Sequence, residues 1–337
     1  MNDHLQNVAN SIRETVFHSP ISFSCLGQQS ARLTPRVQRA MTPATARKYL
    51  LHQLQSHLYS DFYVRGGAAS PNWSSGSGVT DPLAFVNALS CANAGTGCQE
   101  PGWSVVRSNA TESVVQRDGL TLFVRPNECS LEEDGGFETG SKVRLFLPKE
   151  LLSASPGYYM ALSNQCERSA DCRLVRLYWN LKADGAALFV RAFTNTLNLA
   201  RVFFRLKVLN DPGAYMRCDA GVIYFRKSDY AKMSAALAEV YPGIAPCLKS
   251  AVPMFTRQIL AGVGLAEDPG TQESFGQHRC RMLADGMIRA YEQQAKSLDE
   301  RLRVVESRFG AEGIRMNEPH LNPDSVDTYS FQKSGPA

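Results

Sequence analysis

The spacing of hydrophobic positions changes along this chain, and each change predicts an element. From Thr42-Pro43 the run ATARKYLLHQLQSHLYSDFYV carries Leu50, Leu51, Leu54, Leu58 and Phe62 at helical spacing, which predicts a long amphipathic helix. Ahead of it, residues 3–16 read as a helix and the following stretch as a Ser-rich loop, a polar segment able to dock only weakly. Asp81-Pro82 opens a short helix with Phe85 and Leu89 on its apolar face, since proline in the first turn forfeits no hydrogen bond. Strand-like runs then take over in VVRSN, in LTLFVR and in KVRLFL at 142–147. RLVRLYWN at 173–180 alternates as a strand, and the run after it sets Ala186, Phe189, Val190, Phe193 and Leu197 on one helical stripe. VFFRLKVL at 202–209 and DAGVIYFR at 219–226 flank Asp211-Pro212-Gly213, which predicts a tight antiparallel hairpin. Ser228 caps a helix that Tyr241-Pro242-Gly243 stops near Val240. Ser274 and Gln277 form a capping box at the start of a helix that runs, with a break, toward Phe309.

Together these elements predict an α+β fold: a helical N-terminal part followed by a largely antiparallel sheet with helices packed on it. The boundaries read as an N-terminal helical segment over 1–64, a Gly/Ser-rich linker over 65–80, an α+β domain over 81–310 and a disordered tail over 311–337. At 337 residues and 44% hydrophobic the chain can bury a sizeable core. No window reaches eighteen apolar residues and the N-terminus lacks a basic-then-apolar leader, so neither a membrane partner nor Sec export is expected, and a cytoplasmic location is. Nine cysteines without CxxC spacing and six scattered histidines do not suggest a zinc site, and read as free thiols; a disulfide between Cys91 and Cys98 or between Cys166 and Cys172 is the alternative. A net charge of +4, mixed along the chain, does not argue for nucleic acid. There is no Walker loop, the glycines at 262–264 lack dinucleotide-site spacing, and Glu132, Glu133 and Asp134 form no glycosidase pair, so no cofactor and no metal are expected.

Basic character that matters must therefore be local. Side chains two apart on a strand share a face, which pairs Arg205 with Lys207 and Lys142 with Arg144, and Arg217 opens the partner strand of the hairpin. The helix from Ser274 carries His278 and Arg279 in its first turns, with Gly276 permitting close backbone approach, and a helix N-terminus favours an anion. A phosphate fits both features. The plain alternative is a solvated sheet face, an ordinary half-buried histidine and a charged helix surface.

The runs RLKVLNDPGAYMRCDAGVIY, FTRQILAGVGLAEDP and SFGQHRCR, together with PGYYMAL at 156–162 and RLYWNL at 176–181, resemble the HopA-type effector domain family over roughly residues 140–290. That family includes type III effectors of plant pathogens and, in other bacteria, lyase components that work beside a separate kinase on lanthipeptide and thioamide-containing precursors. The resemblance implies a phosphorylated precursor peptide and a separate peptide kinase as partners, and metal-independent β-elimination of phosphate from phosphoserine or phosphothreonine. A non-catalytic effector-like protein binding phosphorylated or acidic partners is the alternative. More remotely the chain is similar to phosphothreonine lyases, in which a lysine of a K-x-K-V strand takes the α-proton; Arg205-Leu206-Lys207-Val208 resembles that strand and Tyr224-Phe225-Arg226 resembles a following Y-x-K. The family's K-x-H falls near Lys142-Val143-Arg144, and Arg144 cannot serve as a general acid. On this reading Lys207 is the base and His278 a candidate acid. Lys142, Arg144, Arg205, Arg217, Tyr224, Arg226 and Arg279 bind phosphate, because forked guanidinium donors suit the charge that grows on the leaving group.

Overall fold

The computed structural model describes residues 3–67, 81–109, 111–166 and 173–331; the expected linker beyond Gly67, and Cys172, lie outside the described residues. The N-terminal part contains α1 (Asp3–Arg13), β1 (Val16–Ser19), β2 (Ser22–Cys25), β3 (Gln28–Gln29), α2 (Pro35–Ala40) and α3 (Pro43–His57). After α4 (Pro82–Ala92) come β4 (Cys98–Ser108), β5 (Ser113–Arg117), β6 (Leu120–Val124), β7 (Cys129–Leu131) and β8 (Lys142–Leu147). The remainder is β9 (Glu150–Leu151), β10 (Tyr158–Leu162), β11 (Leu174–Trp179), α5 (Ala186–Leu199), β12 (Phe204–Leu209), β13 (Gly221–Arg226), α6 (Tyr230–Ile244), β14 (Arg257–Leu260), β15 (Val263–Glu267), α7 (Phe275–Glu292) and α8 (Leu298–Gly310). The α+β expectation holds.

The main sheet has seven strands in the order β14-β15-β11-β13-β12-β10-β9, every described pair antiparallel. One face is the larger core. Val175, Leu177 and Trp179 of β11, Leu206 and Val208 of β12, and Ile223 and Phe225 of β13 pack there on Phe189, Val190, Phe193 and Leu197 of α5 and on Met233 and Leu237 of α6. The helical stripe expected on α5 is thus the buried stripe. The opposite face is covered only in part: Tyr178, Val222 and Ala266 pack under Leu50, Leu54, Leu58 and Phe62 from the N-terminal part and under Phe275, Leu283 and Met287 of α7. The N-terminal helices therefore belong to the same body.

Three helices are capped where the sequence starts them, but Ser228 does not cap α6: Lys227–Asp229 form a short 3-10 turn ahead of it, and Asp229 stands at the cap without a side-chain bond. Thr42 Oγ1 accepts from Thr45 N at 3.2 Å, Asp81 accepts from Leu83 N at 2.9 Å, and Ser274 and Gln277 close the predicted box. Four further expectations are corrected. The stretch after α1 is a small three-stranded sheet, because Phe23 and Cys25 alternate with serines and turn inward. The connection between β12 and β13 is an eleven-residue excursion over 210–220 containing a short 3-10 turn, not a tight reversal. Helix α6 continues past Pro242 to Ile244, whose buried side chain anchors the last turn while proline forfeits one hydrogen bond. Residues 311–331, expected as part of a disordered tail, are irregular but packed: Ile314, Met316, Leu321 and Tyr329 are buried.

A second sheet of five strands, in the order β6-β5-β4-β8-β7, has its own small core of Trp103, Val105, Val115, Val124, Val143 and Leu145. At its border with the main sheet Cys166 Sγ lies 2.7 Å from Cys98 Sγ, so the thiol contact joins neither of the pairs read from spacing.

Candidate functional site

Register decides which cations meet. Across the middle of the main sheet Arg176 of β11 stands beside Tyr224 of β13, and Tyr224 beside Arg205 of β12. Lys207, two residues from Arg205, faces the same way and pairs with Met160 of β10 and Val222 of β13, while Arg226 lies two residues from Tyr224. All of these project to the face that α7 leaves partly open.

The aromatic rings organise them. Lys207 Nζ sits 4.4 Å from the Tyr158 ring centre and 5.5 Å from that of Tyr224, and the Arg176 guanidinium lies 5.0 Å from the Tyr224 ring. Phe203 carries two more cations, Arg226 at 4.6 Å and Arg205 at 5.7 Å. A ring face attracts cations while taking up none of their hydrogen-bond donors. Arg226 Nη2 donates to the Cys166 carbonyl at 3.4 Å, but its buried Nε finds no partner among the described residues. Arg176 is positioned differently: it is 7% exposed and doubly bonded to Asp268, by Nε at 2.7 Å and Nη2 at 2.6 Å.

Arg217 borders this group with its charge already matched. Its Nε and Nη2 reach Asp219 at 2.5 and 2.8 Å, and Nη2 also bonds the Tyr59 hydroxyl at 3.0 Å. Burial holds the Tyr158 and Tyr59 hydroxyls firmly protonated, with the Asp219 carboxylate adding to the effect.

Lys142 and Arg144 stand elsewhere, on β8 of the five-stranded sheet. There Lys142 Nζ bonds Ser104 at 2.8 Å and Arg144 is exposed opposite Ser130. Their spacing matches that of Arg205 and Lys207, but a different sheet carries them.

His278 and Arg279 also depart from expectation, because the N-terminus of α7 is filled by protein. A side chain at Gly276 would run into the Tyr63 ring, so the close approach that glycine permits is used by Tyr63. Arg279 is fully buried, donating to the carbonyls of Pro319 at 2.8 Å and Leu321 at 2.9 Å, and burial lowers its pKa to about 10. His278 Nδ1 lies 2.7 Å from Arg279 Nη1, and burial, reinforced by that neighbouring charge, lowers the imidazole to about 4. A histidine neutral at pH 7 is not a ready proton donor. His4 is lowered to about 4 by burial and by nearby His320. In the unfolded chain these imidazoles titrate near 6.5, so the folded state resists protons the unfolded state takes up, and stability is lost as pH falls from about 6.5 toward 4. Melting temperature should therefore drop steadily between pH 7 and pH 5, and a flat profile there would contradict the buried neutral histidines.

Of the residues singled out in the sequence, Lys207, Arg205, Tyr224 and Arg226 lie together on this face, with Arg217 at the border. Arg176, Tyr158 and Phe203 were not anticipated. Arg176 had a signal, a cation at an alternating position inside the otherwise apolar strand 174–179. Among the described residues no group of three or more His, Cys, Asp or Glu side chains could hold a metal ion, and no helix is long and apolar enough to cross a membrane.

Comparison with family models identifies a match. The model of the HopA1 effector protein family matches residues 150–321, the stretch that carries the whole cationic face. No curated protein matches the chain. Among solved structures, the effector protein from Pseudomonas syringae pv. tomato strain DC3000 aligns at 13% identity over 94% of this chain and 99% of its own, with a TM-score of 0.48. The effector protein from Pseudomonas syringae pv. syringae strain 61 aligns at 10% identity over 95% of this chain and 97% of its own, with a TM-score of 0.47.

Proposed function

This chain belongs to the HopA1 effector protein family, and from that premise we propose that its cationic sheet face binds a phosphorylated peptide and removes the phosphate by β-elimination. The observation that carries the reading is the convergence of Lys207, Arg205 and Arg226 around Tyr158, Tyr224 and Phe203, with a buried Arg226 donor left without a partner among the described residues. Arg205 and Arg226 receive the phosphate oxygens, since forked donors match a phosphate better than a point charge does. Arg176, tied to Asp268, orders Tyr224 beneath it.

In the proposed step the neutral amine of Lys207 takes the Cα proton of phosphoserine or phosphothreonine. The electron pair forms the Cα=Cβ bond, the Cβ–O bond breaks, and inorganic phosphate leaves. With His278 sealed under Arg279, we assign the proton on the leaving oxygen to Tyr158, whose ring lies against Lys207. The peptide is a ribosomal precursor phosphorylated by a separate kinase, and the product is a dehydroalanine or dehydrobutyrine residue.

A second reading, binding of phosphorylated or acidic partners without turnover, is favoured by one observation: neither His278 nor the Lys142-Val143-Arg144 strand brings an acid to the face. Mass spectrometry of phosphoserine and phosphothreonine peptides incubated with the chain and EDTA separates the two. Loss of 98 Da, the mass of phosphoric acid, is expected on general chemical grounds. An intact peptide that nevertheless binds, with cognate precursor and kinase also supplied, would leave the second reading.

A further inference from the structure

Away from the cationic face, a cavity of about 520 Å³ opens between the N-terminal hairpin and the C-terminal end of α7. Ile12, Met287 and Ala290, none more than 3% exposed, form its floor. Phe17 and Tyr291, stacked at 4.8 Å between ring centres, form one wall. Lys296, in the turn where Gln294 adopts a left-handed backbone at φ 58°, and Arg301, in the first turn of α8, stand on the rim.

The charges nearby make this rim unusual. Arg47, Arg289 and Arg308 all converge on the Asp285 carboxylate, and Arg281 pairs with Glu273. Lys296 and Arg301 take part in no ion pair among the described residues; Arg301 Nε donates only to the Ala295 carbonyl at 3.2 Å. The neighbouring Glu300 carboxylate is taken up by the Lys296 and Ser297 amides, so an apolar floor edged by two cations outside any ion pair is complementary to a molecule with an apolar body and one anionic end, and the volume is that of a small-molecule site.

We infer that this cavity binds a small amphipathic carboxylate, its chain against Ile12, Met287 and Ala290 and its carboxylate between Lys296 and Arg301. The inference is independent of what the cationic sheet face does. Titration calorimetry of the full chain with decanoate, below its micelle concentration, tests it. Saturable one-to-one binding is expected, at least about tenfold weaker for decylamine, which carries the same chain with the opposite charge. Lys296→Glu should weaken decanoate binding by about tenfold, the size of one charged contact. Its side chain is exposed, so the variant keeps its fold. Ala290→Phe, which fills the floor, should weaken binding further. Absence of saturable heat, equal affinity for decylamine, or wild-type affinity in Lys296→Glu would each overturn the assignment.

Discussion

Replacing Lys207 with alanine should slow phosphate release from a phosphothreonine peptide on the order of a hundredfold or more, the usual worth of a positioned general base, while weakening peptide binding only about tenfold. On the proposed reading the two effects separate because the phosphate would be held mainly by Arg205 and Arg226, which rest on Phe203 and not on Lys207. Lys207→Arg sharpens the test. It keeps a cation between Tyr158 and Tyr224 but cannot yield a neutral amine at physiological pH, so binding should survive and turnover should not. Single-turnover phosphate release, measured beside equilibrium binding of the same peptide, reads both quantities. A Lys207→Arg variant that turns over at the wild-type rate would remove Lys207 from the role of base and reduce it to an electrostatic contact.

Glu267→Ala should destabilise the fold by about 3 kcal/mol, the lower end for breaking a buried ion pair because Lys227 is partly exposed. Glu267 is 3% exposed and gathers Lys227 at 2.6 Å, the Ser325 and Tyr329 hydroxyls at 2.7 Å each and the Asn322 amide at 2.9 Å. Removing its carboxylate leaves the half-buried Lys227 charge without its counter-ion and loosens a segment that Arg279 grips at Pro319 and Leu321. Despite burial, these donors hold the Glu267 carboxyl below its usual range. A depressed folded pKa contributes stability above the unfolded value and loses it as pH falls through the folded one, so the segment should loosen in acid before the sheet melts. Urea unfolding read alongside protease cleavage within 311–331 checks this. An unchanged urea midpoint, or cleavage no faster than in the wild type, would show that the segment is held by other contacts.

How much of this was legible depends on how far each residue's partner lies along the chain. The stripe Ala186, Phe189, Val190, Phe193 and Leu197, the capping box at Ser274 and the alternation of strands 204–209 and 221–226 rest on neighbours within one element, and the sequence displays them directly. Lys142-Val143-Arg144 and Arg205-Leu206-Lys207 look alike locally, and only long-range pairing assigns one to a five-stranded sheet and the other to the centre of the main sheet. Arg279 could not be recognised as buried because its acceptors are carbonyls forty and forty-two residues away. The segment 311–331 has no periodicity to read, since Ile314, Met316, Leu321 and Tyr329 anchor an irregular path. The cationic face was legible along β12 and β13, where it follows strand alternation; Arg176 shows in the sequence only as a cation in an apolar strand, and it and Tyr158 join the face by register.

The five-stranded sheet is entered at Cys98 and left at Leu147, and those two residues are paired with each other. Asn93, just before it, donates to the carbonyl of Lys149, just after it, at 3.0 Å, which fixes the two flanks side by side. The family match begins at residue 150, immediately beyond. A stretch whose entry and exit adjoin can be shortened to a turn, or exchanged for another module, without shifting the register of what flanks it. Lys142 and Arg144 would leave with such a module while Lys207, Arg205 and Arg226 stayed in place, so this part of the molecule is free to diversify at its own pace.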